Sequence, residues 1–77
     1  MHAIYILVNS ESGKLWEIAA AATKIRGVMR ANAVTGEFDV IVYSEVEEMS
    51  QLSNILRQLQ SINGVLKTHT CLVITSG

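Results

Sequence analysis

An internal repeat constrains this chain more than any other feature of its sequence. The segment Ile-Arg-Gly-Val at 25–28 recurs as Ile-Asn-Gly-Val at 62–65, at an offset of 37 residues. Three further pairs share that offset and are expected at equivalent core positions: Ile4 with Ile41, Leu15 with Leu52, and Ile18 with Ile55. In each copy a strand is followed by a helix that ends at a glycine, and a second strand begins after that glycine. The chain is therefore predicted to fold as strand, helix, strand, twice over.

Runs of β-branched residues predict four strands, and apolar residues at helical spacing predict two helices. The strands are expected at 2–9, 28–35, 39–46 and 65–75, and the helices at 14–25 and 49–62. Residues 36–38 form a short turn that makes the second and third strands a hairpin. Ser44 to Glu47 matches a capping box, but a strand that runs through Val46 would leave Glu47 or Glu48 to open the helix instead.

Two such units joined by a hairpin favour a ferredoxin-like α+β fold, βαββαβ, with both helices on one face of a four-stranded antiparallel sheet. The other face is left bare. The first strand is apolar on both sides, with Ala3, Tyr5 and Leu7 on one and Ile4, Ile6 and Val8 on the other. At roughly 25 cal/mol per Å², leaving such a face in water forgoes on the order of 10 kcal/mol. A two-fold homodimer that packs sheet against sheet, a dimeric α/β barrel, is therefore predicted.

The length of 77 residues leaves room for one domain, expected to span 1–77. The formal net charge of −1 provides no field that would hold a phosphate backbone, so direct nucleic-acid binding is not expected. The apolar run from Ala3 to Val8 is too short for a membrane span or a signal peptide, which favours a cytoplasmic protein. Cys71 is the single cysteine and is predicted to be buried in a strand, as fits a reducing compartment.

Residues that could carry catalysis are sparse. His2 and His69 lie in different predicted strands at a separation that matches no metal site, and no cysteine or carboxylate pair joins them. No serine lies in a Gly-x-Ser-x-Gly elbow. No catalytic residue, metal ligand or cofactor is therefore predicted. Trp16 neighbours the apolar stripe of the first helix and is expected to be a partly buried packing residue.

The turn between the second and third strands is open to two interpretations. As a plain hairpin turn, it uses Gly36 for a positive φ and Asp39 to bond the local backbone. As part of a signature, the segment Val-Thr-Gly-Glu-Phe-Asp-Val-Ile-Val at 34–42 resembles the Gly-x-x-Asp motif of the effector domain of Lrp/AsnC transcription regulators, also called the RAM domain. Gly-Val at 64–65 and Thr-His-Thr at 68–70 resemble the Gly-Val and Thr-x-Thr close of that family, so the similarity spans almost the whole chain.

Family members usually carry an N-terminal helix-turn-helix, and here the first strand begins at His2, so the chain resembles a stand-alone version of the domain. The resemblance implies dimers joined through their sheets, rings of these dimers, and amino acids or similar metabolites held between neighbouring dimers. It also implies a regulatory, non-enzymatic role that can include heteromers with full-length regulators. Carried over to this sequence, the expected ligand-binding residues are Asn32, Val34, Gly36, Asp39, Thr68 and Thr70.

Two alternatives of other kinds stay open at this point. A small enzyme on the related dimeric α/β-barrel architecture would need titratable groups inside the sheet pocket, where the strands offer few beyond Tyr5, Tyr43 and the histidines. An amino-acid-binding domain of the ACT type shares the strand order, and residues 9–13 could serve as its glycine-containing ligand loop. The position of the bound ligand would separate all three, because each class places it differently.

Overall fold

The computed structural model describes residues 1–74 and contains the six predicted elements in the predicted order. The strands are β1 (His2–Ser10), β2 (Val28–Ala33), β3 (Val40–Val46) and β4 (Val65–Leu72), and the helices are α1 (Leu15–Ala22) and α2 (Ser50–Gln60). β4 ends at Leu72, earlier than the predicted strand, whose last position, Thr75, lies outside the described residues.

The four strands form one sheet in the order β2-β3-β1-β4, and all neighbouring strands are antiparallel. The two central strands, β1 and β3, belong to different copies of the repeat, and Tyr5 lies opposite Tyr43 in the middle of their register. The order and the pairing confirm the ferredoxin-like fold. β2 and β4 are left as the two edge strands.

The core lies between the two helices and the face of the sheet that they cover. Alternate residues of the central strands point into it, as expected for a strand with one buried face. The side chains buried here are Ile4, Ile6, Val8, Val40, Val42 and Val46 from the sheet, and Ile18, Ala22, Ile55 and Leu59 from the helices. Ser44 is the buried polar residue of this face, and its hydroxyl donates to the carbonyl oxygen of Ile4 at 3.4 Å.

The glycine that ends each half's helical segment packs against the helix of the other half. Gly27 has φ +99°, and a Cβ added there would lie 2.9 Å from Cδ1 of Ile55 on α2. Gly64 has φ +102°, and its added Cβ would lie 2.8 Å from Cβ of Lys14, just before α1. Both the positive φ and the close approach therefore require glycine at these two repeated positions.

The helix boundaries differ from the predicted ones for local reasons. The first helix was expected to reach residue 25, but α1 ends at Ala22 and the chain continues in turns, with the amide of Ile25 donating to the oxygen of Ala22 at 3.1 Å. The capping box at Ser44 is wrong, because β3 runs through Val46. The side chain of Gln51 instead accepts the amides of residues 47 and 48, at 2.8 and 2.9 Å.

The repeat holds for the helices and the glycines but not for one predicted strand pair. Ile4 is fully buried under the helices, whereas Ile41 lies opposite Leu7 on the other face and is half-buried. Neighbouring side chains of a strand point to opposite faces, so an offset that aligns helices need not align strands. The equivalence of Ile4 and Ile41 is therefore wrong.

The prediction that Cys71 is buried is also wrong. Cys71 lies on the edge strand β4, opposite Tyr5, on the sheet face that no helix covers, and it is exposed. Its neighbours in sequence, Thr70 and Leu72, could not reveal which face it would occupy. Among residues 1–74, no helix is long and apolar enough to cross a membrane.

Candidate functional site

The uncovered face of the sheet is apolar along its middle and polar at its sides. The register places Tyr5 and Leu7 of β1 beside Tyr43 and Ile41 of β3. The prediction of a bare apolar face is thus right for the first strand. The edge strands, for which no such prediction was made, present side chains on this face that include Arg30, Asn32, Lys67 and His69.

An aromatic and charged cluster occupies the centre of this open face. The rings of Tyr5 and Tyr43 have centroids 4.9 Å apart, and the guanidinium of Arg30 lies 4.4 Å above the ring of Tyr43. The Tyr43 hydroxyl donates to Oε2 of Glu45 at 2.8 Å. That hydrogen bond, followed by desolvation and the Glu45 charge, raises the pKa of Tyr43, because the phenolate would lose the bond and face a carboxylate.

The hairpin turn at residues 34–39 is fastened to the end of β1. The Asp39 amide donates to the oxygen of Val8 and the Val34 amide donates to the oxygen of Asp39, both at 2.9 Å. The side chain of Asn9 donates to the oxygen of Glu37 at 2.8 Å. The turn is therefore held in one conformation by contacts to a central strand.

The hydrogen bond of Asp39 differs from the one that the plain-turn interpretation predicted. Its side chain is half-buried, and its Oδ2 accepts the backbone amide of Ser10 at 2.8 Å. It therefore bonds a residue 29 positions away, not the local backbone, and it is not a free solvent-facing carboxylate. Within residues 1–74, its Oδ1 accepts no hydrogen bond, so one carboxylate oxygen remains available.

The turn also presents backbone donors. Within the described part of the chain, the amides of residues 35–38 donate to no protein acceptor. Gly36, at the tip, is exposed and has φ +117°, as the turn interpretation predicted, and open space surrounds its α-carbon. Unpaired amides in a fixed turn can bind an anionic group such as a carboxylate.

The other predicted ligand-binding residues do not meet this turn in one cavity of a single chain. Asn32 is exposed on the open face, opposite Ile41. Thr68 and Thr70 lie on the opposite edge strand, in register with Val8 and Ile6, and therefore on the side of the helices. The Thr68 hydroxyl accepts a hydrogen bond from Nε2 of Gln60 at 3.1 Å. Val34, Gly36 and Asp39 are brought together, and the remaining three are not.

A surface pocket that was not predicted adjoins the turn on the side of α1. It has a volume of about 290 Å³, and its lining residues are Leu15, Trp16, Ala33, Val34 and Thr35. Trp16 is 73% exposed, so the prediction that it is a partly buried packing residue is wrong. The sequence signal that could have found this pocket is Trp16, a large aromatic residue outside the buried face of α1.

Titratable side chains do not assemble into a metal centre in the part of the chain that the structure describes. Residues 1–74 contain no group of three or more His, Cys, Asp or Glu placed to hold a metal ion. His69 instead packs its ring edge-on against Phe38, with centroids 5.2 Å apart. At the hairpin turn, the polar groups available to a ligand include the amides of residues 35–38 and Oδ1 of Asp39.

Comparison with known protein families identifies the family of this chain. The family pattern described as the Lrp/AsnC ligand binding domain matches residues 3–76. The chain belongs to the Lrp/AsnC ligand-binding domain family. The resemblance inferred from the hairpin signature is therefore confirmed, and it favours this family over an ACT-type domain.

Individual Lrp/AsnC relatives agree with this assignment. The HTH-type transcriptional regulator FL11 of Pyrococcus furiosus is 31% identical over 70 residues, which cover 91% of this chain and 46% of that protein. The chain thus spans about half the length of the curated relatives it matches.

Two solved structures extend the comparison. TTHA0845 from Thermus thermophilus has a TM-score of 0.93 at 19% identity, covers 100% of this chain and 98% of its own, and supports the fold alone. The transcriptional regulator NMB0573 from Neisseria meningitidis was solved as a complex with L-Met. It has a TM-score of 0.81 at 26% identity and covers 96% of this chain and 50% of its own.

Proposed function

We propose that this chain is a regulatory module that binds a free amino acid or similar small metabolite. It acts in the cytoplasm, has no catalytic activity of its own, and modulates transcription through related regulators. The observation that carries this proposal is the fastened hairpin turn with its unpaired amides at residues 35–38. The L-Met complex of NMB0573 supports the same ligand class.

In this proposal the two charged ends of an amino acid bind two features of the turn. The effector's carboxylate accepts hydrogen bonds from the turn amides, and its ammonium group pairs with the free oxygen of Asp39. The turn changes little when the ligand arrives, because Asn9 and Ser10 already hold it. Such preorganisation lowers the entropic cost of binding. Asn32, Thr68 and Thr70 then contribute only if a neighbouring subunit carries them to the turn.

A thermal-shift screen of the twenty amino acids tests this function. A ligand at a hundredfold excess over its Kd stabilises the fold by about 2.7 kcal/mol. Asp39→Asn should abolish that gain, because asparagine keeps an acceptor for the Ser10 amide but removes the charge. Gln58→Ala, an exposed change on α2, is the control and should respond like wild type. Equal ligand stabilisation of wild type and Asp39→Asn would contradict this site.

The open sheet face supports the proposed homodimer. Leu7, Ile41 and the two tyrosines form a contiguous apolar centre with polar residues around it, which is the usual composition of a protein interface. We expect light scattering after size exclusion to give at least a dimer, and rings of dimers at higher concentration. Leu7→Glu should shift the protein towards monomer. A wild-type mass of 8.4 kDa at micromolar concentration would contradict the sheet-to-sheet dimer.

The proposal also requires that regulation runs through partners. With six Lys and Arg against seven Asp and Glu, the chain offers little charge for a phosphate backbone. A gel shift with the purified chain should show no tight binding of duplex DNA at physiological salt, whereas a full-length family regulator serves as the positive control. Tight binding by this chain alone would contradict the partner-dependent role.

A further inference from the structure

The pocket beside the turn is suited to an apolar group. Of its lining residues, Thr35 alone carries a polar side chain, and none carries a charge. Leu15 also packs against the core, so one wall is fixed by the fold. Burying a charged group in such surroundings without a partner costs far more than burying a hydrocarbon.

The pocket is continuous with the turn amides. Thr35 both lines the pocket and contributes the first of the unpaired amides, and Val34 is anchored by its hydrogen bond to Asp39. A ligand whose carboxylate binds at the turn therefore has the pocket within reach of its other end. At about 290 Å³, the pocket lies at the lower end of the size range of small-molecule sites, roughly 300 to 1,000 Å³.

We propose that this pocket holds the side chain of the effector, and that the module therefore selects amino acids with aliphatic or thioether side chains over charged ones. The assignment rests on the proposed function, since it uses the turn as the site of the carboxylate. Trp16 supplies the outer wall of the pocket, which accounts for an aromatic side chain left 73% exposed on α1.

The single tryptophan allows a direct test of this assignment. Titration of the full chain with L-methionine or L-leucine should change the emission of Trp16, because the ligand's side chain would cover the indole. L-aspartate and L-lysine should bind at least about tenfold more weakly, as expected when a charge must enter an apolar pocket. Thermal shift on the same samples measures binding independently of the tryptophan.

Two single substitutions in the pocket lining test the assignment independently. Val34→Asp places a charge in the lining and should weaken methionine binding by about tenfold or more. Trp16→Ala removes an exposed wall and leaves the core intact, so it should weaken binding by about tenfold in the thermal-shift assay. Met49→Asp, an apolar-to-acid change before α2 at a 40% exposed position, is the matched control and should bind as wild type does.

Three outcomes would overturn the assignment, and they separate it from the proposed function. If an amino acid stabilises the wild type while Trp16 emission and both pocket variants are unaffected, the pocket is not the side-chain site, although the effector function stands. If Val34→Asp lowers the mass in light scattering with unchanged ligand affinity, the pocket is covered by another copy of the chain. If none of the twenty amino acids binds, the assignment and the proposed function both fail.

Discussion

The two halves of this chain use the same internal contact but present different outer surfaces. Ile55 of α2 lies against Gly27, and Lys14 and Ile18 lie against Gly64, so each helical segment covers the glycine of the other half. On its outer side α2 carries polar residues, including Asn54, Arg57 and Gln58. The corresponding side of α1 carries Trp16, Glu17 and Ala20, and so has a single charged residue.

This difference shows which features of the repeat are needed for folding and which surfaces can differ between the two halves. The core contact depends on a glycine and a few apolar side chains, so it survives in both halves. The outer surface of α2 can remain a solvated face, whereas α1 lies beside the hairpin turn and forms a pocket with it. The pocket therefore belongs to the first half of a nearly symmetrical fold.

The largest expected effect comes from Gly64→Ala. The positive φ costs an alanine about 1 to 3 kcal/mol, and overpacking against Lys14 adds about 1 to 3 kcal/mol more. The obstacle is Cβ of Lys14, which cannot move without moving the start of α1. We expect urea denaturation to show a loss of about 3 to 5 kcal/mol in the free energy of unfolding. A loss below about 1 kcal/mol would contradict the close approach.

Gly27→Ala should cost less, about 2 to 3 kcal/mol, because its obstacle is the terminal Cδ1 of Ile55. Ile55→Val removes that atom. The double variant should therefore lose about 1 kcal/mol less in its free energy of unfolding than the two single variants lose in sum. In the other half, Gly64→Ala and Ile18→Val should add within about 0.5 kcal/mol, since Lys14 remains. Equal non-additivity of the glycine and isoleucine variants in both halves would contradict this difference between the two glycine contacts.

Asp39→Ala should destabilise the fold by about 1.5 kcal/mol, since the Ser10 amide loses a charged acceptor at a half-buried position. Asp39→Asn retains an acceptor and should lose less than about 1 kcal/mol. Both are measured by urea denaturation without ligand. The second half of the chain has no counterpart of this prediction, because the fastened hairpin follows the second strand of the first half. If both variants unfold like wild type, the bond to Ser10 contributes nothing to stability.

The fold followed from the sequence because its determinants are local and repeated. Apolar spacing, glycine ends and β-branched runs predicted all six elements and their order, and the pairing of the strands then follows from the topology. Boundaries were less accurate: α1 ends at Ala22 because the chain tightens into turns, and β3 runs past the capping motif at Ser44.

The candidate site was only partly predictable because its contacts join distant residues. The hairpin motif indicated Val34, Gly36 and Asp39, but nothing near Asp39 in sequence identifies its partner Ser10. The pocket combines residues 15–16 with residues 33–35, so no single segment carries its pattern. Thr68 and Thr70 were inferred from resemblance, and the strand register places them on the helix-covered face of β4.

The smallest expected effect concerns the two tyrosines at which the halves meet. Tyr5 and Tyr43 are opposite each other, but Tyr43 alone has Glu45 as a hydrogen-bond acceptor and Arg30 above its ring. The bond to Glu45 raises the pKa of Tyr43 above 10.0 in the folded protein. Its stabilising contribution is therefore fully present below about pH 10 and is lost as the pH rises through the folded-state pKa.

Stability should accordingly fall more steeply above about pH 10 in wild type than in Tyr43→Phe, which has no phenol to ionise at this position. The titration itself can be followed by phenolate absorbance in Tyr5→Phe, where Tyr43 is the remaining tyrosine. Adding Glu45→Gln removes the carboxylate and should lower the midpoint, because the phenolate no longer faces a negative charge. A Tyr43 midpoint at or below 10.0 in the presence of Glu45 would show that this bond does not hold in solution.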